Sequence, residues 1–172
     1  MAGLPSLRRL LAALALVVPA AAHAAPVSPN QNATGTVAIT QPASVRNLNE
    51  LNFAFLTVTT AGTAVVNPNT EVMTTTGGVM HVAGVPYSAL FEAVSPVKNV
   101  VLIRIPRNPI TITRVGGTET MTVDTWTLSG SANRNIVVKE PFQFKVGGTL
   151  HVNANQAEGH YVGTFTVDIQ YP

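Results

Sequence analysis

The sequence predicts an all-β protein, an immunoglobulin-like antiparallel sandwich, and three observations carry that reading. Short runs of alternating apolar and polar residues recur along the chain, as half-buried strands require. Gly, Pro and Asn clusters separate these runs, and Val and Thr are abundant within them. No window shows convincing helical periodicity. Short strands divided by turns belong to a sandwich or barrel rather than to βαβ units.

The chain opens on an expected export signal over residues 1–24. Arg8 and Arg9 form a short positive region, residues 10–18 an apolar stretch that Pro19 breaks, and Ala22-His23-Ala24 offers small residues where a signal peptidase reads. That stretch is shorter than the roughly 20 residues a spanning helix needs. Cleavage is expected after Ala24. Residues 25–34, with Pro26, Pro29, Asn30 and Asn32, read as a flexible leader. A single sandwich domain is expected over residues 35–172.

Its elements follow in order. Gly35, Val37 and Ile39 alternate with Thr36, Ala38 and Thr40 up to Pro42, a short strand. Leu51, Phe53 and Phe55 alternate with Asn52, Ala54 and Leu56, followed by Val58. Ala61-Gly62 is expected to turn the chain into Ala64, Val65 and Val66, before a turn at Asn67-Pro68-Asn69. Gly77-Gly78 leads into residues 79–82, and residues 84–86 break the run. Residues 88–94 give another strand, with Ala89 and Phe91 opposite Leu90. Residues 100–105 are apolar on both faces except for Arg104, which predicts a central, well-covered strand.

Pro106 and Pro109 end that strand, and Ile110 and Ile112 then alternate with Thr111 and Thr113. Gly116-Gly117 reads as a hairpin turn. In the strand that follows the apolar parity changes, from Met121 and Val123 to Trp126 and Leu128. One extra residue near Asp124-Thr125 returns both sets to the core, so a bulge is predicted there. Phe142, Phe144 and Val146 keep even parity through Gly147-Gly148 to Leu150 and Val152. Residues 153–160 are a polar loop. Tyr161, Gly163, Phe165, Val167, Ile169 and Tyr171 then fall on one face, and Val162, Thr164, Thr166, Asp168 and Gln170 on the other. A long, half-buried closing strand is expected there, one that either completes a sheet or waits for a partner.

Charge narrows the partners. The full chain carries 10 basic and 8 acidic side chains, but Arg8 and Arg9 leave with the signal, so the mature chain is formally neutral. No basic patch remains to attract phosphate, and nucleic acid is excluded as a partner. Charged residues make up 10% of the chain, against about 25% in ordinary domains, a surface that resists self-association poorly. Cysteine is absent, so packing alone must hold an exported fold. No second apolar stretch is long enough for a transmembrane helix.

No catalytic constellation appears. There is no thiol nucleophile, no metal-spaced cysteine set, no phosphate cradle and no nucleophile elbow. His151 and His160 flank a loop containing Glu158, but no ligand spacing supports a metal, and both read as solvated. The carboxylates are sparse and isolated, and Asp168 reads as a solvated charge. Trp126 reads as core rather than as a sugar-stacking platform, because Leu128 shares its parity. We expect no enzyme, no cofactor and no metal.

The stretch Val146-Gly147-Gly148-Thr149-Leu150-His151-Val152, with the loop and closing strand after it, resembles the end of a bacterial exported family known only as domain of unknown function 4402. Gly62-Thr63-Ala64-Val65-Val66-Asn67-Pro68 and Gly77-Gly78-Val79 are similar to it as well. At the centre of the Gly147-Gly148-Thr149 step that family more often has alanine. The resemblance implies a secreted Gram-negative β-sandwich without an established activity. Gly159-His160-Tyr161-Val162-Gly163-Thr164 and the exit at Tyr171 are also similar to the last strand of archaic chaperone–usher pilins of the spore-coat-U-like type. That similarity implies strand exchange between subunits, with Val37 and Ile39 as donor residues and a groove lined by Phe165, Val167, Ile169 and Tyr171. The disulfide common in such pilins is impossible here.

The reading is therefore a non-enzymatic exported structural or surface protein in the periplasm, at the cell surface or outside the cell. Its expected partners are other copies of itself or related subunits, and a periplasmic chaperone. The alternative is a complete secreted sandwich that binds a glycan or protein ligand through its loops.

Overall fold

A computed structural model describes residues 44–95 and 100–170. The expected signal segment, the leader, the strand containing Val37 and Ile39, and Tyr171 lie outside the described residues. Eleven strands run in chain order: β1 (Ser44–Asn49), β2 (Phe55–Val66), β3 (Met73–Ala83), β4 (Ala89–Val94), β5 (Val100–Arg104), β6 (Ile110–Arg114), β7 (Thr120–Leu128), β8 (Asn133–Asn135), β9 (Pro141–Val152), β10 (Tyr161–Val162) and β11 (Asp168–Gln170). Among the described residues there is no helix, and so none long and apolar enough to cross a membrane.

Every strand pair is antiparallel. The larger sheet runs β1-β4-β9-β7-β6-β10, with the β2–β3 hairpin joined to β9, and the smaller runs β11-β5-β8. The expected sandwich is the fold observed, with the larger sheet curled. Its curl encloses one core of Ala64, Val79, Met121, Val123, Leu150 and Val152. The smaller sheet closes a second core, placing Ile103 against Ala89, Phe91, Ala93, Phe144 and Val146. Phe91 and Phe144 stack there with ring centroids 5.4 Å apart.

The spine is β9, whose even residues Phe144, Val146, Leu150 and Val152 are buried as the alternation requires. Two strands share one of its edges: β4 pairs with Pro141–Val146, and β2 takes over at Gly148. The handover falls at Gly147, where a Cβ would lie 2.1 Å from the Val66 carbonyl oxygen and 2.7 Å from Pro68 Cδ. Only glycine lets three chain segments converge so closely. Glu71 secures the same junction from the turn after β2. It accepts hydrogen bonds from the Ser88 amide and hydroxyl at 3.0 and 2.7 Å and pairs with Lys145 Nζ at 2.7 Å. Partial burial pushes its carboxyl up, but the Lys145 and Ser88 hydrogen bonds outweigh that and hold it below its ordinary value.

The predicted bulge is present. The β7–β9 register shifts between Asp124 and Thr127, and Thr125 adopts a φ of 46°. Met121 and Val123 are buried before the shift, and Trp126 and Leu128 pack inward after it. Three expectations need correction, and one strand comes without a signal. Ala61-Gly62 is no turn: β2 runs through it, placing Thr59, Thr60 and Ala61 opposite the single residue Gly78. Gly77, at φ 64°, supplies the left-handed backbone this wide irregularity requires. The strand at β5 is central in its sheet but covered on one face only, since Val101 and Ile103 are buried whereas Val100 is exposed. A strand, β1, precedes Leu51 although its residues are all exposed and show no alternation; Arg46 fastens it to Glu92 of β4 at 2.6 Å.

The third correction concerns the closing strand, which is not continuous. Tyr161 and Val162 pair with β6 in the larger sheet, and residues 168–170 pair with β5 in the smaller one. Residues 163–167 make no backbone–backbone hydrogen bond to any described residue. The reason is geometric, because one segment crosses from one sheet to the other and cannot ladder with both.

The handover predicts a contrast between adjacent glycines. Gly147→Ala should destabilise the fold by about 2–3 kcal/mol, as overpacking against backbone does. Gly148→Ala, whose Cβ would meet Trp126 Cε3 and Val123 Cγ1 at 3.3 Å, should stay within about 1 kcal/mol of the parent because side chains can yield. Urea unfolding of both variants measures the difference.

Candidate functional site

The closing segment is the feature that most needs an explanation, and its start is firmly braced. The β6–β7 hairpin turns at Gly116-Gly117, and across it Arg114 donates to both Glu119 oxygens, at 2.7 and 3.0 Å. The Arg114 hydrogen bonds hold the Glu119 carboxyl down at about 2. The Val115 amide donates to the His160 carbonyl at 2.8 Å. Tyr161 Oη donates to the Ala157 carbonyl at 2.7 Å and accepts from Gln156 Nε2 at 2.8 Å. Gln156 also reaches the Thr120 carbonyl at 3.3 Å. The polar loop is thereby tied to β7, and the direction of the chain is set as it leaves Tyr161.

Beyond the brace, Phe165, Val167 and Ile169 keep their inward alternation and pack against the second core. The Phe165 ring lies 4.7 Å from Trp126 and 6.1 Å, edge-on, from Phe91. Apolar burial therefore holds the middle of this segment, without a ladder. A groove of about 280 Å³ lies beside it, between Pro106, Arg107 and Pro109 on one wall and Thr164 and Thr166 on the other. On their outer sides β10 and β11 have no strand partner among the described residues. Residues 161–170 thus include two short open edges, one on each sheet, joined by an unladdered span, and their one acidic or basic side chain is Asp168. Natural edges are blunted by lysine, proline, bulges, charge or short strands; residues 161–170 have no lysine or proline, and only Asp168 and the shortness of β10 and β11 guard them.

Of the residues expected at a strand-exchange groove, Phe165, Val167 and Ile169 are brought together on one core, whereas Val37, Ile39 and Tyr171 lie outside the described residues. His151 is exposed but is not merely solvated, since its ring pairs with Asp124 at 2.8 Å beside the β7 bulge. His160 is exposed. His81 Nε2 donates to the carbonyls of Ala83 and Gly84 at 3.0 and 3.1 Å. Among the described residues no group of three or more His, Asp and Glu side chains could hold a metal. Trp126 is half-buried, touches both cores and donates Nε1–H to the Asn108 carbonyl at 3.2 Å. Alternation does not reveal the Arg114–Glu119–Gln156–Tyr161 brace, although an Arg and a Glu flanking a two-glycine turn is a usable signal for it.

Residues 43–171 match the model of the family described as Domain of unknown function (DUF4402), and the chain belongs to that family. No curated protein and no solved structure matches the chain.

The brace makes the acid response specific. A carboxyl depressed to about 2 contributes stability that is present above its unfolded value near 4.5 and is lost as pH falls through the folded value. Glu119→Gln should therefore lose less melting temperature than the parent between pH 6 and pH 2.5. Thermal melts at the two pH values, followed by circular dichroism, check this.

Proposed function

We propose that this member of the DUF4402 family is a non-enzymatic structural subunit, exported to the periplasm, the cell surface or beyond, that joins other subunits by strand addition at its closing edge. One observation carries the reading: among the described residues β10 and β11 have no strand partner on their outer sides and residues 163–167 join no ladder, while Phe165, Val167 and Ile169 are already packed. An arriving strand would find a formed apolar floor and a row of unsatisfied backbone groups, the two requirements of β-augmentation. Association of this kind needs no charge complementarity, in keeping with a chain that is 10% charged.

The donor in this reading is the alternating segment around Val37 and Ile39 of another copy or a related subunit. A periplasmic chaperone would protect the edge before assembly. Similarity of residues 159–164 to the last strand of archaic pilins supports the same mode. The competing reading is a complete sandwich that binds a glycan or protein ligand through loops such as residues 153–160, and an exposed Trp126 available as a platform would favour it. The engagement of its indole N–H with Asn108, and of its ring with Phe165, weighs against that use.

Size-exclusion chromatography with light scattering tests the proposal. The purified chain should form higher-order species that a variant lacking residues 25–40 does not form. A synthetic peptide of residues 33–42 should raise the melting temperature of that variant by several degrees, as binding to the native state alone requires. A strictly monomeric chain, equally stable with or without residues 25–40, would overturn it.

A further inference from the structure

A second edge of the molecule, unconnected with the closing segment, is equally open. Strand β3 is 11 residues long, pairs only with β2, and has no partner on its outer side among the described residues. Neither β2 nor β3 contains a lysine, arginine, aspartate, glutamate or proline. The one titratable side chain on the hairpin's strands is His81, and its Nε2–H is committed to Ala83 and Gly84. One face of the hairpin covers the first core through Leu56, Val58 and Val79. Its open end does the reverse, leaving Phe55 68%, Met80 59%, Val82 59% and Val85 75% exposed. Phe55 stands two residues from Thr57, which pairs with Met80, so Phe55 and Met80 share the open face.

We infer that β3 is a homotypic interface, pairing edge to edge and antiparallel with β3 of a second copy. Antiparallel pairing of a strand with its own copy is self-complementary, because every N–H···O bond has a two-fold twin. The usual obstacle to such pairing is like charge opposite like charge, which a two-fold axis imposes on any charged edge. This edge has no permanent charge to repel, so the neutral strand fits its own copy as well as it could fit any partner. With the two-fold axis at His81, near the open end of the strand, Met80 of each copy comes opposite Val82 of the other and both are withdrawn from water. The pairing leaves the closing edge of each copy accessible, so it stands independently of strand addition there.

The absence of cysteine makes the test clean. Val82→Cys should be captured as a covalent dimer by a short bis-maleimide, whereas Thr113→Cys, exposed on β6, should not. In sedimentation velocity, Val82→Lys should weaken dimerisation by about tenfold or more, since it places like charges across the axis. The substitution falls on an exposed side chain, and an unchanged far-ultraviolet circular dichroism spectrum shows that folding is intact. A dimer lost in Val82→Lys but retained without residues 25–40 supports the inference even if strand addition fails. A dimer that survives Val82→Lys and disappears on that deletion assigns association to the closing edge and overturns it. A Val82→Cys chain that stays monomeric overturns it too, as does protection of β3 by the chain's own residues 35–40.

Discussion

One edge of β9 serves two strands in succession, and the rest of the molecule is arranged around that junction. Strand β4 uses the first half of the edge and β2 the second, so the two cores form side by side on one continuous strand. The change of partner requires a residue without a side chain, and Gly147 supplies it. Glu71 then binds the three converging pieces, bonding to Ser88 just before β4 and to Lys145 on β9. A carboxylate that is partly buried must be satisfied, and here its satisfaction also fixes the geometry of the handover.

The junction connects to the closing segment through Trp126. Gly148 leaves space against which the indole lies, and the bulge at Asp124–Thr127 turns the indole inward. From there Trp126 touches both cores and meets Phe165. Phe165, in turn, is the first inward residue of the segment that has lost its ladder. Packing thus continues from the spine to the open edge after hydrogen bonding has stopped. The edge is positioned without being paired, which separates the apolar requirement for a strand from the polar one.

Much of this was legible in the residues, and what was not has a common cause. Alternation reports which face a side chain takes, so the buried rows of β4, β7 and β9 and the parity change at Asp124 could be read directly. Alternation says nothing about which neighbour a strand takes. Residues 161–170 keep perfect parity for Phe165, Val167 and Ile169, yet the chain changes sheets between them. Strand β1 has no apolar alternation at all; its place is given by the backbone ladder to β4, with Arg46 meeting Glu92 across it, neither of which local pattern reveals. Ala61-Gly62 looked like a turn because glycine marks both turns and bulges. Phe55 shares the parity of Leu51 and Phe53, yet it is exposed and Leu56 packs inward in its place, a change of face that alternation does not report.

The division of the closing segment between two sheets also shapes how the molecule would respond to tension. A pull from the C-terminal side first meets a three-residue clip on β5, then an unladdered span held by aromatic packing, and only then the anchored tyrosine on β6. Strain would be taken up in stages, with the outer clip releasing while the spine remains intact. A chain built this way yields at its margin before its centre, and the yielded margin can clip back once the pull ends.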